Sequence, residues 1–212
     1  MNRSPRPLPA RRSPCSAAAG LILLALLLSL IACSSLSLLD SGPHARVYTG
    51  QKIPELQLRD ARGEAIRLPS LLDRAKKTVV VFYRGYWCPY SQEQLLVLRT
   101  RWPDFQARGG QIVAISTDDP PMLAEFAYTI EKEYRSRTQE SSAPEGTEFP
   151  ILLLSDSSRE AIRKLGIGED HPRFGLIARP TTLILDREGT ILWLQVGKSA
   201  SDYPSADTLL RH

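Results

Sequence analysis

The sequence predicts an α/β domain in which helices cover both faces of a central mixed β-sheet. Three observations predict it. Residues 78–83 and 111–116 are apolar runs without charge, the pattern of strands buried on both faces. Helical patterns at 89–107 and 122–134 alternate with those runs, as they do around a parallel sheet. Two later apolar runs, 181–185 and 191–196, flank the tight turn Asp186-Arg-Glu-Gly189, which signals a hairpin and adds antiparallel strands. Right-handed crossovers then place helices on both faces.

The chain has 212 residues, and its first 46 stand apart from that domain. Residues 1–14 are basic and proline-rich, and residues 17–32 are apolar and uncharged. Together they read as a secretory signal spanning 1–32. The segment Leu30-Ile-Ala-Cys33-Ser-Ser resembles the lipobox of bacterial lipoproteins, whose cysteine receives a diacylglyceryl thioether and becomes the new N-terminus. By that resemblance Cys33 is the lipid attachment site. Residues 33–46 are then a lipidated tether, and residues 47–212 form the domain. A second reading keeps residues 17–39 as an uncleaved anchor helix, just long enough to span a bilayer. Both readings place the domain outside the cytoplasm, held at the cell membrane or, with Ser34 after the cysteine, at an outer membrane. Arg11-Arg12 raises twin-arginine export, but Pro14 and Cys15 stand where that signal requires apolar residues.

The net charge of +4 belongs to the leader. Arg3, Arg6, Arg11 and Arg12 all precede residue 33, and the remainder carries 23 basic and 23 acidic residues. A neutral domain gives no support for nucleic-acid binding. Of the three cysteines, Cys15, Cys33 and Cys88, only Cys88 lies in the domain. A disulfide framework is therefore excluded there, and no Cys/His cluster suggests a metal.

Within the domain, residues 47–58 read as an extended element limited by Pro54, 60–63 as a turn, and 66–72 as a strand passing into a short helix. The strand 78–83 follows and is broken by Gly85. From Pro89 a helix runs to 107, with Leu95, Leu98, Trp102 and Phe105 on one face, and Gly109-Gly110 ends it. After strand 111–116, Asp118-Asp119-Pro120-Pro121 caps the helix 122–134. Residues 135–148 are polar and read as a surface loop. A strand is expected at 149–154, a helix at 157–165 ended by Gly166, an irregular connection at 169–179, then the hairpin and a closing helix at 202–210.

Cys88 is placed at a strand-to-helix junction. The positive end of the helix dipole stabilises negative charge on a sulfur there. A cysteine of this kind is a nucleophile, although a lone cysteine also serves as a small buried hydrophobe.

Four blocks, taken in order, resemble the thioredoxin-fold redoxins of the peroxiredoxin-like AhpC/TSA group. Tyr83-Arg-Gly-Tyr-Trp-Cys-Pro-Tyr-Ser91 is similar to their redox-active loop, and Ile115-Ser-Thr-Asp118 to the next strand end. Phe149-Pro-Ile-Leu-Leu-Leu-Ser-Asp156, with the helix after it, is similar to a third segment. Arg179-Pro-Thr-Thr-Leu-Ile-Leu-Asp186 with Gly189 is similar to the strand pair after a cis-proline loop. The resemblance covers about residues 47–210. It implies a thioredoxin-like fold, no cofactor, and a loop of Arg179, Pro180 and Thr181 facing Cys88, with Pro180 in the cis form.

The chain departs from the expected redox motifs at three positions. In the pattern P-x-x-x-T-x-x-C, Gly85 occupies the threonine position and Val81 the proline position. Ser91 replaces the second cysteine of C-x-x-C. Cys-Pro-Tyr-Ser also occurs in glutaredoxins, but about 90 residues separate Cys88 from Pro180, too many for that compact domain.

The resemblance implies a thiol-dependent peroxidase in which Cys88 attacks a small hydroperoxide and an external thiol resolves the sulfenate. Arg84 would favour the thiolate and hold the peroxide oxygens, and Ser91 would donate to the sulfur. Tyr86 and Trp87 would form apolar walls. Two alternatives stay open. One is thiol–disulfide exchange at a single thiol. The other is a non-catalytic binding protein of the cell envelope. His44, His171 and His212 show no catalytic partner in the sequence.

Overall fold

The computed structural model describes residues 45–139 and 149–212. The signal segment, Cys33, the tether up to residue 44 and most of the polar loop expected at 135–148 lie outside the described residues. The chain runs β1 (Gln57–Arg59), β2 (Ala65–Arg67), α1 (Pro69–Leu72), β3 (Lys77–Phe82), α2 (Pro89–Thr100), α3 (Trp102–Ala107), β4 (Gly110–Ser116), α4 (Pro120–Thr138) and β5 (Leu152–Ser155). It continues through α5 (Glu160–Leu165), β6 (Gly168–His171), β7 (Gly175–Ala178), β8 (Thr181–Leu185), β9 (Ile191–Val196) and α6 (Ala206–Leu210).

Seven strands form one mixed sheet in the order β2-β1-β5-β4-β3-β8-β9. The uncharged runs occupy its middle, as a two-sided burial requires. β3 pairs parallel to β4 over six residues and antiparallel to β8 over five. Side chains alternate across a strand. Val79, Val81 and Tyr83 therefore pack on one face with the apolar sides of α2, α3, α4 and α6. Val80 and Phe82 pack on the other face with Leu71 and Leu72 of α1 and Ile162 and Leu165 of α5. Helices on both faces, and the hairpin β8–β9, are as the sequence predicts.

Several boundaries differ from expectation, each for a local reason. The helix expected at 89–107 is two helices that meet at Arg101, with φ −92° and ψ 5°. Pro103 lacks an N–H and clashes with the preceding turn, so α2 cannot continue through it. α4 instead extends past the expected end at 134 to Thr138, where Gln139 turns into the left-handed region. Residues 169–179, expected as an irregular connection, contain a separate two-stranded antiparallel hairpin, β6–β7. Residues 47–58 contribute only the short β1 and an isolated bridge from Lys52 to Thr190.

On the α2–α4 contact, Arg99 grips Glu131 through two bonds of 2.6 and 3.0 Å, and Arg135 joins the same carboxylate at 3.2 Å. The Arg99 guanidinium lies 3.8 Å from the centre of the Tyr134 ring. Burial pushes the Glu131 carboxyl up, but the two arginines outweigh it and hold the group below the usual glutamate range. A lowered acid contributes stability that is present above its unfolded pKa, about 4.3, and disappears as pH falls through the folded value. Both side chains are 12% exposed, between a surface pair and a buried one. Glu131→Ala is therefore expected to cost about 2 kcal/mol at pH 7, within the range bounded by exposed and buried pairs. Urea unfolding at pH 7 and below pH 4 checks this: the deficit should shrink in acid.

Candidate active site

Three elements converge where β3 ends. The Tyr83 N–H donates to the Ile115 carbonyl, which carries the pairing with β4 one residue past the strand. The chain then reverses at Gly85 and enters α2 at Cys88, whose φ of −88° and ψ of 118° make it the N-cap. Pro89 sits in the first turn, where a missing N–H costs nothing. The Gln92 N–H donates to the Cys88 carbonyl at 3.0 Å as the first bond of the helix, and the Cys88 side chain makes no capping bond. The sulfur is buried, with the residue 1% exposed, and is not in a disulfide.

The turn at Gly85 leaves no room for a side chain. Its φ of +148° lies in a region that side chains rarely adopt. A Cβ built there would stand 2.5 Å from Trp87 Nε1 and 3.0 Å from Asp118 Oδ1. The space a threonine side chain would fill is held by the Trp87 indole.

Arg84 reaches the Cys88 sulfur, and Ser91 bonds to other groups of the site. Arg84 Nη1 lies 3.7 Å from the sulfur, and Arg84 Nε donates to Glu169 Oε1 at 2.9 Å. Burial works against the guanidinium charge, but Glu169 and the sulfur outweigh it and keep the group above its usual value. Ser91 is fully buried, but not as expected. Its Oγ accepts from the Arg84 N–H at 3.2 Å and pairs with the Tyr203 hydroxyl at 3.1 Å. Those bonds place it as a brace between the loop and Tyr203. Burial pushes the Tyr203 phenol up to about 12, against its bond to Ser91 and with the Cys88 sulfur adding to the rise. Tyr203 therefore stays protonated at neutral pH.

The head of β8 lies beside the tail of β3, with Thr181 in register with Phe82. That places Arg179, Pro180 and Thr181 at the same end of the sheet as Cys88. The Thr181 hydroxyl donates to the Arg179 carbonyl at 3.0 Å, and the Arg179 N–H donates to the Ile167 carbonyl at 2.8 Å. The expected cis form of Pro180 is corrected: no peptide bond among the described residues is cis. The trans form is intrinsically preferred even before proline. Here the Pro180 carbonyl also accepts from the Gly197 N–H at 2.7 Å, which joins the loop to the end of β9.

The walls also differ in part. Trp87 stacks on Phe174 with ring centres 4.2 Å apart and packs on His171 at 4.8 Å. Arg84 lies 5.3 Å over the same indole. Tyr86, expected as a second wall, is 39% exposed, while its N–H donates to Asp118 Oδ2 at 2.9 Å. Ser116 also donates to Asp118, but burial outweighs both bonds and raises its carboxyl above the usual aspartate range.

Glu169, His171 and Phe174 on the β6–β7 hairpin, together with Asp118 and Tyr203, are site residues that the sequence reading did not assign. Tyr203 follows Cys88 by more than 100 positions, and local pattern carries no signal for such contacts. Gly168 and Gly175 around a short polar stretch were a hairpin signal.

The site thus holds one buried sulfur at a helix N-terminus, a cation on it, and a protonated phenol nearby. A sequence model of the AhpC/TSA family matches residues 49–194. The chain belongs to the AhpC/TSA family. A relative, the chloroplastic peroxiredoxin Q of Populus jackii, is 29% identical over 147 residues, which are 69% of this chain and 59% of that protein. The chain thus spans about three-fifths of the length of the curated relatives it matches first. Among solved structures, the peroxidoxin BcpB of Mycobacterium tuberculosis superposes with a TM-score of 0.63 at 22% identity, covering 78% of this chain and 96% of its own. The reduced Prx3 of Vibrio vulnificus in complex with hydrogen peroxide superposes with a TM-score of 0.64 at 20% identity, covering 78% and 97%. These likenesses establish the thioredoxin-like fold of an AhpC/TSA protein.

Proposed function

We propose that this AhpC/TSA protein is a thiol-dependent peroxidase that works through Cys88 alone. The observation that carries the proposal is the Arg84 guanidinium on a single buried sulfur at the α2 N-cap, in a chain of this family. The Cys88 thiolate attacks one oxygen of a small hydroperoxide. An S–O bond forms as the O–O bond breaks, leaving a sulfenic acid and an alkoxide or hydroxide that takes up one proton. Arg84 can stabilise the charge that develops on the oxygens. An external thiol then attacks the sulfenic sulfur and releases water, giving a mixed disulfide. A second thiol frees Cys88 and leaves as the oxidised disulfide.

Ser91 cannot resolve the sulfenate, and Cys88 is the free cysteine among the described residues. Hence the requirement for a thiol from outside the domain. The same sulfur could attack a disulfide, but with serine at the fourth position of the motif it could not release itself.

The reading includes a lipid anchor at Cys33 that holds the domain outside the cytoplasm, supported by the apolar segment and by Leu30-Ile-Ala-Cys33. Metabolic labelling with a fatty-acid probe should mark the wild type and leave Cys33→Ala unmarked.

The test of activity is peroxide consumption by the full-length protein with and without a thiol donor. Catalytic turnover with the donor, and a single stoichiometric reduction per chain without it, is the expected result. Turnover without any thiol, or no reduction at all, overturns the proposal.

A further inference from the structure

The Arg84 guanidinium is held at both ends. Nη1 meets the Cys88 sulfur at 3.7 Å and Nε donates to Glu169 Oε1 at 2.9 Å, with the Arg84 side chain 16% exposed and Glu169 32% exposed. A guanidinium is a rigid planar fork, so a bond at Nε sets the plane in which Nη1 lies. An arginine without such a bond has a long flexible stem, and its charged head moves toward water.

Glu169 reaches this position from far away in sequence. It lies on β6, outside the main sheet, in a hairpin that also presses Phe174 and His171 on Trp87. Arg159 Nε donates to the Leu176 carbonyl at 3.0 Å and ties that hairpin to the start of α5.

On charge alone, a carboxylate beside a sulfur that must carry negative charge is adverse. It offsets part of the field that Arg84 supplies. Glu169 therefore has two opposed effects on the sulfur: one electrostatic and unfavourable, one geometric and favourable. We infer that the geometric effect prevails, so that Glu169 is a positioning residue that holds Arg84 on Cys88 and makes the β6–β7 hairpin part of the reaction centre. The effect on peroxide rate rests on the peroxidase reading; the effect on the thiol does not.

The elements that frame the site carry these charged and titratable groups among the described residues. Arg84 comes from its own loop, Glu169 and His171 from the hairpin, Tyr203 from the segment after β9, Asp118 from the end of β4, and Arg179 from the head of β8. The test compares Glu169→Ala with Glu169→Gln in the full-length protein. Glutamine keeps an oxygen for the Arg84 Nε–H but removes the charge. Two measurements are made. One is the pH dependence of Cys88 alkylation, followed by mass spectrometry of the peptide that carries it. The other is the second-order rate with hydrogen peroxide.

Glu169→Ala is expected to raise the alkylation midpoint by roughly 1 pH unit, as loss of a nearby cation does. It should slow peroxide reduction by about 10- to 100-fold, the scale of a misplaced catalytic group. Glu169→Gln should keep the midpoint at or below that of the wild type, with a rate close to it. A fall of the midpoint in Glu169→Ala would mean that Glu169 only neutralises Arg84, and overturns the inference. Equal losses in both variants, in step with a lower melting temperature, overturn it too and leave a structural role. Because alkylation needs no peroxide, a wild type that consumes none would remove the peroxidase reading and still leave this comparison decisive.

Discussion

Cys88→Ser is expected to abolish peroxide consumption, by roughly 1,000-fold or more, the scale seen when a catalytic nucleophile is removed. The change is close to isosteric, and Cys88 is the free cysteine among the described residues. The neighbouring hydroxyls are engaged: Ser91 with Arg84 and Tyr203, and Thr181 with the Arg179 carbonyl. A serine hydroxyl is not ionised at neutral pH and does not cleave an O–O bond. Arg84 would still meet an oxygen in the sulfur's place, so the fold should persist, and circular dichroism and the melting temperature check that it does. The initial rate of peroxide loss, with the thiol donor in excess, is the decisive measurement. A variant that retains more than a small fraction of the wild-type rate would show that Cys88 is not the reacting group.

Gly85→Thr is expected to damage the protein, although it restores the residue that the family pattern P-x-x-x-T-x-x-C carries at this place. Two costs combine. A β-branched residue at φ +148° is strained, and its Cβ would lie 2.5 Å from Trp87 Nε1 and 3.0 Å from Asp118 Oδ1. Strained backbone and overpacking each cost about 1–3 kcal/mol, so a loss of roughly 2–6 kcal/mol is expected. That is a large share of the 5–15 kcal/mol of a typical domain. Trp87 would have to leave Phe174 to relieve the contact. Urea midpoints for the wild type, Gly85→Ala and Gly85→Thr test this. Alanine shares the backbone strain and the Cβ contact, so both variants should fall, threonine further. A threonine variant with unchanged stability and a faster peroxide reaction would show that the loop accepts the family's hydroxyl after all.

The centre of the fold was legible because it rests on local pattern. Residues 78–83 and 111–116 read as two-sided strands, and Asp186-Arg-Glu-Gly189 between apolar runs reads as a hairpin turn. The position of Cys88 followed from Gly85 and Pro89 on either side of it. What escaped was held by contacts distant in sequence. β6 is the polar stretch Gly-Glu-Asp-His, which has no strand pattern of its own and is supported by its pairing with β7 and by Phe174 and His171 against Trp87. Glu169 and Tyr203 are unremarkable in their own segments and gain a role only when folding brings them to Arg84 and Ser91. The break between α2 and α3 was readable at Pro103; the common apolar face of Leu95, Leu98, Trp102 and Phe105 masked it.

The depth of the sulfur bears differently on the two partners of the proposed one-cysteine cycle. At 1% exposure the Cys88 sulfur lies under its neighbours, and in the proposed cycle a bulky thiol needs more of that cover to move than a small peroxide does. A two-stranded ribbon outside the main sheet is the cheapest part of such a cover to displace. Under the proposed cycle, re-reduction by a bulky thiol then calls for a motion that oxidation by a small peroxide does not.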